Sequence, residues 1–472
     1  MTIKTGNILF LLPILALAGC AVGPDYRQPV VETPVAYKEA QGWKMAEPQD
    51  HAPRGRWWEI YGDPQLNALV QQVELSNQNI RAAEAKYRQA LALLGAARSG
   101  YFPTVSAGIA ANRGQSMSAS GTILPAAPIG NTDRISLSAS WEADVWGRIG
   151  RTVESNQASA EASAADLQAA LLSAQSTLAQ TYLQLRINDV ERQLLEQTVA
   201  AYERSLQITR NRYEAGVAGR IDVAQAETQL KSTQAQAIDL GVQRSQLEHA
   251  IALLVGKAPA DFKLEPNNSL PSIPDIPVGV PSELLERRPD IAAAERRAAA
   301  ANAQIGIAQA ALFPSLMLSA STGYQSSSFA NLISLPNRFW SLGPALAATL
   351  FDGGARLAQK EQAIAVFDNN VAAYRQTVLT GFQEVEDNLS ALRILGEEAK
   401  VQQEAAKSAA ESVTLANNQY VAGTVSYLNV VSAQATSLGA DKSGLDITGR
   451  RLIASVSLLK ALGGDWRSAG VK

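Results

Sequence analysis

Apolar positions along this chain recur with two different periods, and the switch from one to the other happens twice. From Leu66 to Ser99 the composition is rich in Ala, Gln, Leu, Glu and Arg with apolar spacing near 3.6, which predicts a helix stopped by Gly100 and Pro103. Ile291 to Leu312 reads likewise. Beyond Phe102-Pro103 and Phe313-Pro314 the period becomes two: Val105, Ala107, Ile109 and Ala111 share one face, and Leu316, Leu318, Ala320 and Thr322 share the equivalent one. A polar, irregular stretch follows, Arg113 to Asp133 in one case and Tyr324 to Trp340 in the other. Then comes a second strand: Ile135, Leu137, Ala139 and Trp141 alternate with Ser136, Ser138, Ser140 and Glu142, and Leu342, Leu346, Ala348 and Leu350 mark its counterpart. The predicted strands are 104–112, 134–142, 315–323 and 341–350.

Past each strand pair the helical period returns and persists. Arg151 to Glu214 holds no proline, so a continuous helix of about 64 residues would extend roughly 96 Å. Leu195, Val199, Tyr202, Leu206 and Tyr213 mostly keep four-three spacing, and Val378, Phe382, Val385, Leu389 and Leu392 keep it unbroken, as in a coiled-coil seam. Small alanines stand between the large residues. A ring of helices around an open centre suits them better than a solid rod.

These parallels are an internal duplication. Ile80, Glu84, Gly95, Phe102 and Pro103 recur as Ile291, Glu295, Gly306, Phe313 and Pro314, at an offset of 211. Gly147, Tyr213, Gly216, Val223, Ala226 and Gly256 recur as Gly354, Tyr420, Gly423, Val430, Ala433 and Gly463, at an offset of 207. The four missing residues come from the irregular stretch, which marks it as an exposed loop. Prolines crowd between Pro259 and Pro289. The expected organisation is a leader at 1–19, an N-terminal segment at 20–64, a first copy at 65–257, a Pro-rich linker at 258–290, a second copy at 291–464 and a tail at 465–472.

With 41 basic against 44 acidic residues, a net charge of −3 removes the electrostatic argument for a nucleic-acid partner. His51 and His249 lie far apart and Cys20 is the single cysteine, so zinc, iron-sulfur and disulfide chemistry are excluded. No histidine lies near a plausible nucleophile and no phosphate-binding glycine loop occurs, so no catalytic residue is expected. Lys4 and an apolar run from Ile8 to Ala18, too short to span a bilayer, predict an export signal. It ends Leu17-Ala18-Gly19-Cys20, which resembles the bacterial lipobox. That resemblance implies cleavage after Gly19, covalent lipid on Cys20 and, with Ala21 next, sorting to the outer membrane.

Strands of this length, nearly free of charge and flanked by Trp141, Trp146, Trp340 and Phe351, fit a membrane-spanning β-barrel. Four strands cannot close one, and open edges in lipid leave backbone groups unpaired. The chain must oligomerise to span; eight, twelve and sixteen strands all satisfy that arithmetic.

The order of Cys20-Ala21-Val22-Gly23-Pro24-Asp25-Tyr26, Trp57-Trp58, Tyr61-Gly62-Asp63-Pro64-Gln65-Leu66, Trp146-Gly147-Arg148, Arg288-Pro289-Asp290-Ile291 with Glu295, Phe313-Pro314 and Phe351-Asp352-Gly353-Gly354 resembles the TolC-type outer-membrane efflux proteins of the lipoprotein branch. The resemblance implies a mainly α fold with a small β part. It would be a homotrimer, with a twelve-stranded β-barrel, four strands per chain, continuing into a twelve-helix α-barrel girdled by an equatorial domain that residues 20–64 wrap. It further implies an exit duct of a tripartite pump, lipid-anchored in the bacterial outer membrane with a long periplasmic extension. The partners would be a periplasmic adaptor (membrane fusion protein) and an inner-membrane resistance-nodulation-division transporter. Beyond the lipid on Cys20, no cofactor or metal is implied.

The long helix must turn back, and the glycines at Tyr213 to Arg220, with Tyr420 to Tyr427 as the twin, provide the place. By the resemblance, Tyr213, Gly216, Gly219, Tyr420 and Gly423 form an adaptor-docking periplasmic tip. Family members carry an acidic ring across the closed tip; the matching positions here are the uncharged Asn429 and Ser432, while Asp222 is acidic. Asp222 suits two roles, a carboxylate ring that filters cations and an N-cap for a helix starting at Val223. The leading expectation is a passive conduit for drugs or other small molecules. A duct for type I protein secretion or metal-ion efflux is the first alternative, and a lipid-anchored coiled-coil envelope scaffold the second.

Overall fold

A computed structural model of the chain describes residues 21–39, 56–115, 129–274, 276 and 287–464. The leader with Leu17, Ala18 and Gly19, the lipidation candidate Cys20, most of the end of the linker and the 465–472 tail lie outside the described residues.

The predicted first helix is two helices. Asp63 caps the first, α1 (Pro64–Ser76), its carboxylate accepting from the Gln65 and Leu66 amides at 2.9 and 3.1 Å, with Pro64 at the first helical position. At Asn77 the backbone becomes extended, and its side-chain oxygen accepts from the Asn79 and Ile80 amides at 2.9 and 3.2 Å, opening α2 (Gln78–Ser99). An asparagine that satisfies the next helix's first amides offsets the broken ladder, which an apolar period of 3.6 on both sides conceals.

The long helices are α3 (Arg148–Glu214) and α6 (Ala355–Val421), each of 67 residues, followed by the return helices α4 (Arg220–Leu254) and α7 (Tyr427–Ala461), each of 35. At 1.5 Å per residue a long helix measures about 100 Å. Helix α3 begins three residues before the expected Arg151 because the Asp144 carboxylate accepts from the Ile149 and Gly150 amides at 2.8 and 2.7 Å. Helix α5 (Pro289–Ala310) is the second copy's counterpart of α2. No described helix is long and apolar enough to cross a membrane.

The strands β1 (Thr104–Gln115), β2 (Ile129–Ala143), β3 (Ser315–Ser326) and β4 (Arg338–Ala347) form one antiparallel sheet in the order β1-β2-β3-β4. The hairpin arms reach further into the irregular stretches than alternation predicts, because polar residues such as Arg113 and Asn131 still pair through their backbones. Strand β4 is shifted: it starts at Arg338 and ends before Ala348 and Leu350, since Arg338, Phe339 and Trp340 stand opposite Tyr324, Gly323 and Thr322. Register sorts the side chains into two faces. Ser106, Ser138, Ser321 and Ser341 form one row across all four strands, with the Ser106–Ser138 and Ser321–Ser341 hydroxyls each 2.8 Å apart. The adjacent row, Val105, Ala139, Ala320 and Leu342, lies on the other face. The outer edges of β1 and β4 have no strand partner among the described residues.

The two sequence copies are not the two compact units of the fold. One unit takes 1–30, 86–163 and 293–374; the other takes 31–85, 164–292 and 375–472. Copies mix because β2 of the first pairs with β3 of the second. In the first unit, residues 21–28 form a strap. Gly23 passes so close that a Cβ there would lie 2.5 Å from Gly306 Cα, Asp25 pairs with Arg151 at 2.9 Å, and Tyr26 donates to the buried Glu295 carboxylate at 2.7 Å. Burial and that carboxylate push the Tyr26 phenol far up.

Two cores of the second unit are formed by described residues. One surrounds Trp58, with Leu66, Val70, Val73, Leu178, Tyr182, Ile251 and Val456. Its buried hydroxyls are satisfied, Tyr61 with Ser455 and Tyr182 with Asp63, both at 2.7 Å. The other lies beneath the helical turns.

Candidate functional site

Both long helices end in the same way. The amides of Val217 and Thr424 donate five residues back, to Arg212 O at 2.9 Å and Gln419 O at 3.0 Å, around Gly216 at φ +73° and Gly423 at φ +78°. This is a helix C-terminal cap that needs the left-handed region, hence glycine. Gly219, expected to share that duty, has an ordinary extended backbone at φ −83° and is the N-cap of α4.

Asp222 is not an N-cap. It stands one turn inside α4, and its carboxylate accepts from the Gly219 amide at 3.3 Å. Its position in the second copy is Asn429, three residues after Ser426, the N-cap of α7; Asn429 and Ser432 are both exposed.

Beneath the turns, Tyr202, Leu206, Val223, Ala226, Leu230, Tyr420, Tyr427 and Val430 make one buried cluster from all four helices. Repetition places Tyr213 and Tyr420 alike, yet Tyr213 is 44% exposed and Tyr420 5%. The difference lies in what meets them. Tyr427 packs edge-on against Tyr420 with centroids 5.1 Å apart, and the Arg212 guanidinium lies 4.8 Å from the Tyr420 ring while donating to Val421 O at 2.8 Å. Ser205 and the Tyr427 hydroxyl are 3.0 Å apart, and burial pushes the Tyr427 phenol up. On the surface Arg210 pairs with Glu227 at 2.6 Å, which lowers the Glu227 carboxyl's pKa.

Arg212, Tyr427 and Ser205 were not marked by sequence reasoning, although a signal existed. At the 207 offset Arg212 becomes Gln419 and Tyr427 answers Arg220, so the repeat breaks where the two copies touch. The chemistry available here is mechanical rather than reactive. A buried aromatic joint carries two turns whose exposed residues include the apolar Val217 and Ile221 on one and Val421 and Leu428 on the other.

Comparison with known proteins adds to this geometry. The family model described as "Outer membrane efflux protein" matches at 69–257 and again at 280–464, once on each copy. The pyoverdine export outer membrane protein OpmQ of Pseudomonas aeruginosa is 31% identical over 468 residues, covering 98% of this chain and 97% of that protein. The toluene efflux pump outer membrane protein TtgF of Pseudomonas putida is 30% identical over 471 residues, covering 98% and 97%. The solved structure of the outer-membrane channel OprN superposes with a TM-score of 0.87 at 31% identity, over 94% of this chain and 99% of that one.

Proposed function

Because the chain belongs to the outer membrane efflux protein family, we propose that it is the exit duct of a tripartite efflux pump, passing small organic molecules outward. The chain is an outer-membrane efflux channel with a TolC-like fold, in a family that transports rather than catalyses.

One observation carries it: a four-stranded sheet with an apolar face, a serine face and two outer edges that have no strand partner among the described residues. In lipid those edges demand strands from further copies. Three copies joined β4 to β1 would close twelve strands, the serine face inward and the apolar face to lipid. Each copy then adds α3, α4, α6 and α7 to a twelve-helix periplasmic tunnel. Lipid on Cys20 anchors the chain, and the strap at 21–28 ties that anchor to its unit.

The turns at Gly216 and Gly423, with Tyr213, Gly219 and Tyr420, are the docking end for a periplasmic adaptor, which couples the duct to an inner-membrane resistance-nodulation-division pump. The gate carries Asp222 as its acidic position, Asn429 and Ser432 being uncharged. Relatives named for pyoverdine and toluene support organic solutes as cargo. The test is crosslinking of purified protein together with planar-bilayer recording. A crosslinked trimer that conducts ions is expected; a monomer without conductance overturns the duct.

A further inference from the structure

The serine face of the sheet is built from small side chains. Reading along it gives Thr104, Ser106 and Gly108 on β1, Ser136, Ser138 and Ser140 on β2, Ser319, Ser321 and Gly323 on β3, and Ser341 and Gly343 on β4. Two charges stand on that face among the described residues, Glu142 at one end and Arg134 toward the other. Glu142 is occupied: Arg148 Nε donates to it at 2.9 Å. Arg134 has no carboxylate among the described residues within ion-pair distance.

It is held instead by an aromatic ring. The Arg134 guanidinium sits 4.4 Å from the centroid of Phe339. These residues lie on β2 and β4, with β3 between, so their backbones are about 10 Å apart. On β3 Gln325 stands opposite Arg134, while Gly323, with no side chain, stands between Ser136 and Phe339, so the long Arg134 side chain reaches the ring diagonally across the sheet. A Cβ on Gly323 would fall 2.0 Å from Ile135 O. Held over the Phe339 ring, Arg134 is laid against the wall rather than left to swing free.

We propose that Arg134, seated on Phe339, forms a positively charged ring at the outward mouth of the channel and selects for anionic solutes, organic carboxylates among them. This rests on the reading of the sheet as a barrel wall with its serine face inward. Each copy supplies one guanidinium, so a closed trimer carries three on a lining otherwise uncharged, apart from the paired Glu142. A ring of like charges lining a passage raises the local concentration of counter-ions and repels co-ions.

The experiment is the reversal potential of purified channel in planar bilayers under a potassium chloride gradient and then a potassium benzoate gradient. Arg134→Gln is expected to shift both potentials toward cation preference, Arg134→Glu to shift them further, and Arg134→Lys to stay near wild type. Phe339→Ala, which frees the guanidinium, is expected to give a smaller shift of the same sign. Conducting channels whose potentials are unchanged in both Arg134→Gln and Arg134→Glu overturn the proposal while leaving the duct intact. A wild-type protein that does not conduct overturns both.

Discussion

Asn77 and Arg288 occupy the same place in the two copies, and each hydrogen-bonds the last turn of its own copy's return helix. Asn77 Nδ2 donates to Leu254 O at 2.8 Å, and Arg288 Nη1 to Ala461 O at 3.2 Å. Two residues past each carbonyl the chain turns at Gly256 and Gly463, where a Cβ would lie 2.3 Å from Ser76 O and Arg287 O. The joint is the same and its chemistry differs. Arg288, 8% exposed at its side chain, also binds Asp290 at 2.7 Å and Glu384 at 2.6 Å. Burial opposes its charge and the two carboxylates outweigh that, so its pKa is raised.

Arg288→Ala is therefore expected to cost more than Asn77→Ala. Breaking a buried ion pair costs roughly 3–5 kcal/mol, but Asp290 and Glu384 are 40% and 42% exposed and recover water, so the lower end applies. Losing the Asn77 cap and its carbonyl bond costs about 1–2 kcal/mol. Thermal unfolding of the purified protein reads both. Equal losses would show that the Arg288 carboxylates add nothing.

At the first turn, Gly216→Ala and Gly219→Ala are expected to part company. A Cβ at Gly216 meets nothing within 4 Å, so its cost is that of the left-handed backbone alone, about 1–2 kcal/mol. Gly219 has an ordinary φ and loses only the N-cap preference for glycine over alanine, about 0.5–1 kcal/mol. Gly216→Asp and Gly423→Asp should in addition abolish adaptor co-purification at unchanged oligomer yield. Full adaptor recovery with both would remove docking from these turns.

That pair of glycines shows how far the sequence could be read. Periodicity and duplication place every long element, because burial of one face writes itself into spacing over dozens of residues. What they miss is decided by single side chains. Asn77 breaks a helix whose apolar pattern runs through it, and Gly219 looks like Gly216 until its φ is known. Strand ends next to the hairpins are predicted too short because alternation ends before backbone pairing does, while β4 ends at Ala347, three residues before the expected Leu350. The aromatic joint is invisible for a related reason: Arg212 meets Tyr420 and Val421, and Tyr427 meets Ser205, each across more than 200 residues of chain, and no local pattern records that.

Arg212 ties the first turn to the second by its bond to Val421 O and its place over Tyr420. A hydrogen bond from a charged donor is worth roughly 1.5–3 kcal/mol and a cation–π contact ~0.5–1 kcal/mol. If the tie holds the closed tip, Arg212→Ala shifts the closed-to-open balance at least about tenfold, since about 1.4 kcal/mol is tenfold. Single-channel recording should show a higher open fraction. Tyr420→Phe is the control: its hydroxyl is buried and has no hydrogen-bond partner among the described residues, so gating should not change. An unchanged open fraction in Arg212→Ala would mean that the two turns open together.

Two buried phenols should make the fold sensitive to alkali. Tyr61, 4% exposed and bonded to Ser455, is pushed up by burial; Tyr182, fully buried, is pushed up by burial and by the Asp63 carboxylate it donates to. In both cases the folded pKa lies above the ordinary value of about 10. The neutral phenol is thus the form the fold favours, and its stabilisation is complete below pH ~10. Above that pH the unfolded chain releases protons that the folded chain retains, so each tyrosine removes about 1.4 kcal/mol per pH unit until its folded pKa is reached. Circular dichroism followed from pH 9 to 12 should show a loss that steepens above about pH 10. Tyr182→Phe should flatten that slope by one proton's worth, at the cost of leaving Asp63 with one bond fewer at neutral pH. A slope identical in wild type, Tyr61→Phe and Tyr182→Phe would mean that alkali opens the protein elsewhere.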